Sequence, residues 1–336
     1  MRHLPRRHAG QGGYVLLMVL AALAVMAFVA QRFAQRNDEL RRNALDFSRY
    51  AEARASTFGA LSATLYWNAT RPLMPAGRGV AGSQLRQDGQ IYVTGDGAFV
   101  VVQDFRGLLA PNGVDRSILR SFLVQDGVPL QTAQAMTDVL DDYIDTDNLR
   151  RINGAERPEY QALGLVGPRN GWLLSPRELE TMPLWRDDPA KLGRWLRSFS
   201  SDIGHPYNPA TAPVTTLRAL FPTANPAQLE LLQTLRRSDQ LLNGRDAQQL
   251  TGLPFDSDDY IFAPGNEARV TIWAPGLPRS LEYNVRLVPA GELGPWVITE
   301  QHSTTRLTLT DEAPPAALPF PLALSAQNRS ASAPAP

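Results

Sequence analysis

The stretch "GGYVLLMVLAALAVMAFVAQRFAQR", residues 12–36, decides the fold of this 336-residue chain. No charged side chain occurs from Tyr14 to Ala30, so the segment is apolar on every face. A helix of this length covers about 25 Å, and Gln31 to Ala34 extend it towards the roughly 30 Å of a bilayer core. Several arginines precede the segment, which predicts that its N-terminal end stays in the cytoplasm.

The helical pattern continues beyond the apolar segment. No proline occurs between Pro5 and Pro72. Apolar residues recur at three- and four-residue steps with charges between them, as one face of a helix requires. We therefore predict one helix from Tyr14 to about Asn68, with residues 14–34 in the membrane and residues 35–68 outside it. Its apolar stripe is expected to form a helix seam with neighbouring helices, made of Phe47, Ala51, Phe58 and Leu65.

The remaining sequence indicates an α+β fold. A hairpin is predicted from Ile91–Val93 and Phe99–Phe105, with Gly95-Asp96-Gly97 as its turn. The runs "ARVTIWA", "LEYNVRLV" and "PWVITEQ" predict three later strands. The chain between the hairpin and these three strands has a helical pattern. This pattern predicts a small antiparallel sheet, residues 69–110 and 263–312, interrupted by an inserted helical domain, residues 111–262. Residues 313–336 are rich in Pro, Ala and Ser and predict a disordered tail.

Composition excludes several functions. Basic and acidic side chains number 33 each, so no basic excess indicates a nucleic-acid partner. The absence of cysteine excludes disulfides, zinc–thiolate sites and thiol chemistry. No Gly-x-Ser-x-Gly elbow, Walker A motif or dinucleotide fingerprint occurs. Two of the four histidines, His3 and His8, precede the apolar segment. We therefore predict no catalytic residue and no enzymatic activity.

Two acidic segments are candidates for a metal site. Calcium takes six to eight oxygen ligands, mostly from carboxylates, carbonyls and water. The first candidate set lies where a helix end runs into a polar turn: Asp141, Asp142, Asp145, Asp147, Asn148 and Glu156. The residues alone favour a solvated acidic face over a metal site. The second set is Asp256, Asp258 and Asp259, and a polar turn that closes the helical region explains it at least as well.

The residues around Gly13 carry a resemblance to a known family. A short basic leader ending in Gly12-Gly13, before an apolar helix that continues amphipathically, is similar to type IV prepilin-like proteins. The resemblance implies that a prepilin peptidase cuts between Gly13 and Tyr14, which removes residues 1–13, and that Tyr14 is then methylated. It also implies a single-pass anchor in a bacterial inner membrane, with the leader cytoplasmic and the later domains periplasmic.

Met18 makes the resemblance more specific. Most members carry glutamate five residues after the cut, where it is thought to pair with the N-terminal amine of the neighbouring subunit. An amine buried without that carboxylate is costly, so a chain with Met18 suits the end of a fibre better than its interior. Loss of this glutamate, together with a helical insertion, resembles minor pseudopilin K of type II secretion, whose insertion contains SAM-like modules on a pseudopilin fold.

Three internal stretches resemble the same family: "VLDDYIDTDNLRRINGAERPEY", "RNGWLLSPRELETMP" and "YNPATAPVTTLRALFPTANPAQLELLQTLRR". The resemblance implies calcium in the helical domain and a structural role at the pseudopilus tip, in assembly and export. It implies minor pseudopilins I and J as partners, with H nearby, besides the inner-membrane assembly platform and the secretin or exported substrates. Two alternatives stay open: a tip minor pilin of a type IV pilus, and a membrane-anchored periplasmic calcium-binding protein outside any fibre.

Overall fold

The computed structural model describes residues 12–201, 204, 206–238, 243–255, 258–292, 294–305 and 317–321. The chain divides into two compact units, Met1–Ala55 and Ser56–Pro336, and the boundary falls within the first helix. That helix, α1, spans Gly12–Thr70 and is two residues longer at each end than predicted. It stops just before Arg71, because the proline that follows disfavours helical geometry in the residue that precedes it.

The second unit contains two sheets. A small meander pairs β1 (Leu73–Met74), β2 (Gly77–Val80) and β3 (Ser83–Arg86), and the sequence did not predict it. The larger sheet has the order β8-β7-β6-β5-β4-β9. Its first five members are antiparallel and are the predicted strands: β4 (Asp88–Val93), β5 (Phe99–Asp104), β6 (Glu267–Trp273), β7 (Arg279–Leu287) and β8 (Trp296–Thr305). The predicted α+β class is therefore confirmed.

The C-terminal tail differs from the prediction within residues 317–321. There β9 (Leu318–Pro319) lies parallel to β4, with Leu318 opposite Tyr92. The Phe320 N–H donates to the Val93 carbonyl at 2.8 Å, and the Phe320 ring is 2% exposed. That ring packs edge-on against Trp67 and Tyr92. Burial of one aromatic side chain orders this short piece of a tail rich in Pro, Ala and Ser, while the rest of the predicted tail lies outside the described residues.

One face of α1 in the second unit is buried. Leu61, Leu65 and Trp67 are each at most 6% exposed. The Trp67 indole N–H donates to the Arg78 carbonyl at 2.8 Å, and the Gln87 amide donates to Asn68 Oδ1 at 2.9 Å. These contacts tie the end of the helix to the chain around the small sheet.

The inserted region is helical, as predicted, and enters and leaves the sheet at neighbouring points, since Asp104 at the end of β5 lies opposite Ala268 of β6. Its core is built around Trp185, which is fully buried, packs against Trp195 and Phe199, and donates to the Met136 carbonyl at 2.8 Å. The SAM-like character of the insertion stays a prediction. Its helices are α2 (Arg116–Gln125), α3 (Leu130–Ile144), α4 (Arg157–Ala162), α5 (Pro189–Trp195), α6 (Val214–Leu220), α7 (Pro226–Arg237) and α8 (Gly244–Thr251).

Asp104 joins the insertion to the sheet. Its buried carboxylate accepts from Gly265 N at 2.9 Å, Thr211 Oγ1 at 2.9 Å, Asn208 Nδ2 at 3.3 Å and Arg106 N at 3.3 Å. Burial raises the pKa of Asp104, and these hydrogen bonds lower it again in part. Through these hydrogen bonds one carboxylate connects the end of β5, the middle of the insertion and the chain that returns to β6.

A buried arginine makes a second connection. Arg269 of β6 donates to the Leu196, Arg197 and Phe199 carbonyls at distances between 2.5 and 3.2 Å. Its guanidinium also lies 3.4 Å from the Glu282 carboxylate. Because a buried charge is costly without partners, this residue favours the docked position of the insertion over any separated one.

Candidate functional site

The first functional feature is the apolar start of α1. Among the described residues, this is the one helix long and apolar enough to cross a membrane, with a mean hydropathy of 2.4 in its most apolar window. Side chains of that window are exposed, including Tyr14 at 69% and Met18 at 56%. Gly13 and Tyr14 both lie within the helix. The segment thus presents apolar groups on all sides. Exposure of this apolar surface to water is unfavourable, whereas its burial in a lipid bilayer is favourable.

The predicted helix seam divides between exposed and buried residues. Phe47 and Phe58 are 73% and 69% exposed, and Ala51 is exposed as well. Leu65 is 5% exposed and packs inside the second unit. The prediction that Leu65 contributes to the seam is therefore wrong, because a neighbouring chain could not reach it. Phe47, Ala51 and Phe58 remain as a stripe of three exposed side chains.

The first acidic set lies at the C-terminal end of α3 and in the loop that leads to α4, and Asp142 organises that loop. This carboxylate is fully buried and accepts from the Arg151 N–H, with both oxygens at 3.1–3.2 Å. Gly154 packs directly against it, since a Cβ there would lie 2.0 Å from Asp142 Oδ2. Burial raises the pKa of Asp142, and the nearby charges of Asp145 and Asp138 raise it further.

Three of the predicted ligands have other partners. Asp141 forms an ion pair with Arg116 at 2.6 Å and lies 3.6 Å from Arg151. Asp147 Oδ1 accepts from the Leu149 N–H at 2.7 Å, which makes a local turn. Asn148 Oδ1 accepts from the Asn170 amide at 3.1 Å. These contacts shape the loop, and in this arrangement all three groups already have a hydrogen-bond or ion-pair partner.

Glu156 and Asp145 have unpartnered oxygens. Glu156 is 3% exposed at the N-cap of α4, and its carboxylate leans towards the first amides of that helix without a hydrogen bond of ordinary geometry. Asp145 Oδ1 and the Tyr160 hydroxyl are likewise buried without a partner among the described residues, whereas Asp145 Oδ2 lies 3.7 Å from the Arg151 guanidinium. Burial raises the pKa of Glu156 first, and the charges of Asp142 and Asp145 raise it further. Burial also raises the pKa of Asp145.

The unpartnered carboxylate oxygens are the type of ligand that a hard cation prefers, but they do not by themselves form a complete coordination shell. Buried polar atoms are normally hydrogen-bonded, so unpartnered carboxylate oxygens near one another are unusual. In the described part of the chain, however, no group of three or more His, Asp or Glu side chains is arranged to hold a metal ion. An ion bound beside Glu156 and Asp145 would need backbone carbonyls or water to complete its shell.

The second acidic set resembles a turn. Asp258 and Asp259 are exposed, and the Asp259 carbonyl accepts from the Tyr207 N–H at 2.7 Å, which closes the insertion. Asp256 lies outside the described residues.

Sequence reasoning missed two parts of the acidic loop. Tyr160 follows Glu156 by one helical turn, so its hydroxyl faces the same interior, and this i,i+4 spacing was the available signal. No signal in the sequence indicated that position 154 requires glycine. The requirement arises from the position of the Asp142 side chain, which is set by α3, and α3 ends ten residues before Gly154.

The replacement Gly154→Ala tests the geometry of this loop. The added methyl group would collide with the Asp142 carboxylate, so we expect the free energy of unfolding to fall by about 1–3 kcal/mol. Gly193→Ala is the matched control, because nothing lies within 4 Å of its added Cβ. Chemical denaturation of both variants measures the difference, and equal stability of the two would contradict the described position of Asp142.

Comparison with solved structures finds a chain of the GspK–GspI–GspJ complex from the type 2 secretion system of enterotoxigenic Escherichia coli. The match covers 80% of this chain and 99% of that chain, with 16% sequence identity and a TM-score of 0.48. No protein-family model matches the sequence, and no curated protein matches it. At this level of similarity we assign no family from the match.

Proposed function

We propose that this chain is a structural, non-enzymatic minor pseudopilin at the tip of a type II secretion pseudopilus, where it helps to start assembly of the fibre. The observation that carries the proposal is the helix at the N-terminus. A Gly12-Gly13 pair precedes Tyr14, the next residues are apolar, and the same helix continues without a break to Thr70. Removal of a leader at Gly13 would leave this helix as both membrane anchor and assembly element.

Two further features support a position at the tip. Met18 replaces the glutamate that would neutralise the amine of a neighbouring chain, so this chain lacks one attraction to a subunit packed beside it. The helical insertion is large, and Asp104 and Arg269 hold it against the sheet. A bulky domain held in this way suits the end of a fibre, where no further subunit has to stack.

The proposal predicts that the exposed stripe of α1 binds the helices of other minor pseudopilins. Replacing Phe47 by glutamate places a charge in that stripe, and we expect at least a tenfold loss of full-length components I and J that co-purify with the full-length chain. Leu45→Glu is the matched control, because Leu45 is also 57% exposed but lies about 160° away around the helix.

Two outcomes of this experiment would contradict the proposal. The wild-type chain could remain free of I and J when all three are produced in one membrane. Alternatively, Phe47→Glu and Leu45→Glu could retain the partners equally. Co-purification with the minor pilins of a type IV pilus instead would favour a tip pilin, and a chain with no fibre partner would favour a membrane-anchored periplasmic binding protein.

We also propose that calcium binds at the loop between α3 and α4. Support comes from the unpartnered oxygens of Glu156 and Asp145 and from the raised pKa values of the carboxyl groups there. Such carboxyl groups bind protons more tightly in the folded protein than in the unfolded chain. Their negative charges therefore destabilise the metal-free fold as pH rises through the raised pKa values, and a divalent cation would offset that cost.

Calcium is therefore expected to stabilise the protein most where these carboxyl groups are ionised. At pH 7, calcium at a hundredfold excess over its Kd should add about 2.7 kcal/mol to the free energy of unfolding. The gain should shrink as pH falls towards the ordinary carboxyl pKa values, because protons then compete with the ion. Thermal unfolding of the full chain with CaCl2 or with a chelator, at pH 7 and pH 5, measures both effects.

Glu156→Gln should remove most of the calcium effect, while Glu230→Gln, an exposed control on α7, should keep it. No change of Tm with calcium in the wild-type chain at pH 7 would reject the calcium site without affecting the pseudopilin proposal.

A further inference from the structure

A cleft of about 1260 Å³ lies between the large sheet and the helical insertion, and neither the proposed function nor the acidic loop uses it. Its floor crosses all five antiparallel strands of the sheet, from Ile91 on β4 to His302 on β8. Helices and turns of the insertion, including residues of α5, form the opposite wall. Sites for drug-sized ligands enclose about 300–1,000 Å³, so this cleft is large enough for a longer, extended ligand.

The cleft carries an excess of positive charge. Seven arginines line it against five carboxylates. Each carboxylate already has a partner: Asp88 pairs with Arg86, Asp126 with Arg194, Glu180 with Arg177 and Glu282 with Arg269, while Glu300 accepts from Asn284 and Ser175. Each carboxylate that lines the cleft therefore already has an ion-pair or hydrogen-bond partner.

Four of the lining arginines have no carboxylate partner among the described residues, and one of them, Arg197, donates instead to the Gly193 carbonyl at 3.4 Å. Within the described ranges, no carboxylate lies at ion-pair distance from Arg186, Arg218 or Arg279, and all three side chains are exposed. Arg186 and Arg218 belong to the insertion, whereas Arg279 begins β7, so the unpaired charges lie on both walls. Guanidinium groups form strong, bidentate contacts with carboxylates, and clusters of them are a common way to bind acidic segments.

We propose that this cleft binds an acidic, extended peptide segment of a partner protein. Neighbouring strands lie about 4.8 Å apart, so the five strands of the floor measure roughly 19 Å across. About six extended residues, at roughly 3.3 Å each, are enough to cross it. Glutamate or aspartate side chains along that segment would meet the three arginines, and of the carboxylates on the floor only Glu300 lacks an arginine partner.

Isothermal titration of the full-length protein in detergent tests the proposal with a defined probe. The probe is an acetylated and amidated octapeptide of alternating Glu and Ser, and its control replaces each Glu by Gln. We expect binding of the Glu peptide, at least tenfold weaker binding of the Gln peptide, and a Kd that rises with salt.

Variants separate the cleft from general charge attraction. Arg186→Gln, Arg218→Gln and Arg279→Gln together should raise the Kd roughly tenfold, since each exposed ion pair contributes about a factor of two to affinity. A triple variant of the same charge, Arg41→Gln, Arg237→Gln and Arg245→Gln, should leave the Kd unchanged, because none of these residues lines the cleft. Matching Tm values of the two variants show that both fold.

Three results would overturn the proposal. The first is an absence of binding by the Glu peptide, and the second is equal loss of affinity in both triple variants. The third is binding that appears only after Asp311→Asn and Glu312→Asn replacements in this chain. That result would make the chain's own acidic residues, which lie outside the described ranges, the occupant in place of a partner. None of these outcomes depends on leader cleavage or on components I and J, so each tests the cleft alone.

Discussion

Gly13→Ala is expected to leave the thirteen-residue leader on essentially every molecule in a cell that contains a prepilin peptidase. The proposed cut lies between Gly13 and Tyr14, and glycine places no side chain beside the bond that is broken. A methyl group at that position adds a side-chain atom beside this bond, and we expect the peptidase site not to accommodate it. The uncut chain would keep its apolar helix in the membrane, so loss of cleavage would not reduce the amount of membrane protein.

Gly12→Ala is the matched control for this experiment. It adds the same methyl group one residue further from the bond, and we expect the leader to be removed normally. Gel mobility of both variants, with and without the co-produced peptidase, measures the cleaved fraction. Normal cleavage of Gly13→Ala, or loss of cleavage in both variants, would contradict the proposed position of the cut.

Asp104→Ala is expected to lower the free energy of unfolding by about 3–5 kcal/mol, the largest stability change we predict. The replacement removes the acceptor for four donors, which come from Arg106, Asn208, Thr211 and Gly265. Burial of Asp104 opposes part of this loss, because the charged form is costly inside the protein. The unpartnered donors outweigh that gain, since four of them would be left buried or half-buried where the insertion meets the sheet.

Asp96→Ala provides the control, because Asp96 is an exposed residue of the β4–β5 turn. Surface replacements of this kind change stability by about 0.5 kcal/mol or less. Thermal unfolding followed by circular dichroism should therefore show a large fall in Tm for Asp104→Ala and almost none for Asp96→Ala. Equal Tm values would mean that Asp104 does not hold the insertion in place.

The elements that the sequence predicted are those with strong local signals. The helix from Tyr14 onward has no proline for more than fifty residues, and its apolar residues keep a helical period. The β4–β5 hairpin has β-branched and aromatic runs on either side of a glycine-rich turn. In each case neighbouring residues determine the backbone, so no knowledge of distant contacts is needed.

The features that the sequence could not predict depend on distant contacts. Asp104 and Thr211 are 107 residues apart in the chain and meet at 2.9 Å. Phe320 orders part of the C-terminal tail only because Trp67 and Tyr92 form a surface for it. Leu65 shares a helical face with Phe47 and Phe58, yet the second unit covers Leu65 and leaves the two phenylalanines exposed. Periodicity indicates an apolar face but not which of its residues the rest of the protein buries.

The candidate calcium site illustrates the same limit. The sequence indicated the acidic loop as a candidate site, but it treated all six residues as equivalent. In the structure Asp141 forms an ion pair with Arg116, whereas Glu156 and Asp145 have carboxylate oxygens without a hydrogen-bond partner. Which carboxylates are free for an ion follows from the positions of arginines on other elements, and these positions are set by tertiary packing.

The most direct test of the central claim is the mass of the mature protein isolated from the membranes of its own cells. The proposed function requires that the chain begin at Tyr14 and keep the apolar helix. Intact-protein mass spectrometry together with the N-terminal peptide should show this species. A chain that still begins at Met1, or one that begins after the apolar segment ends near Ala34, would contradict the pseudopilin account.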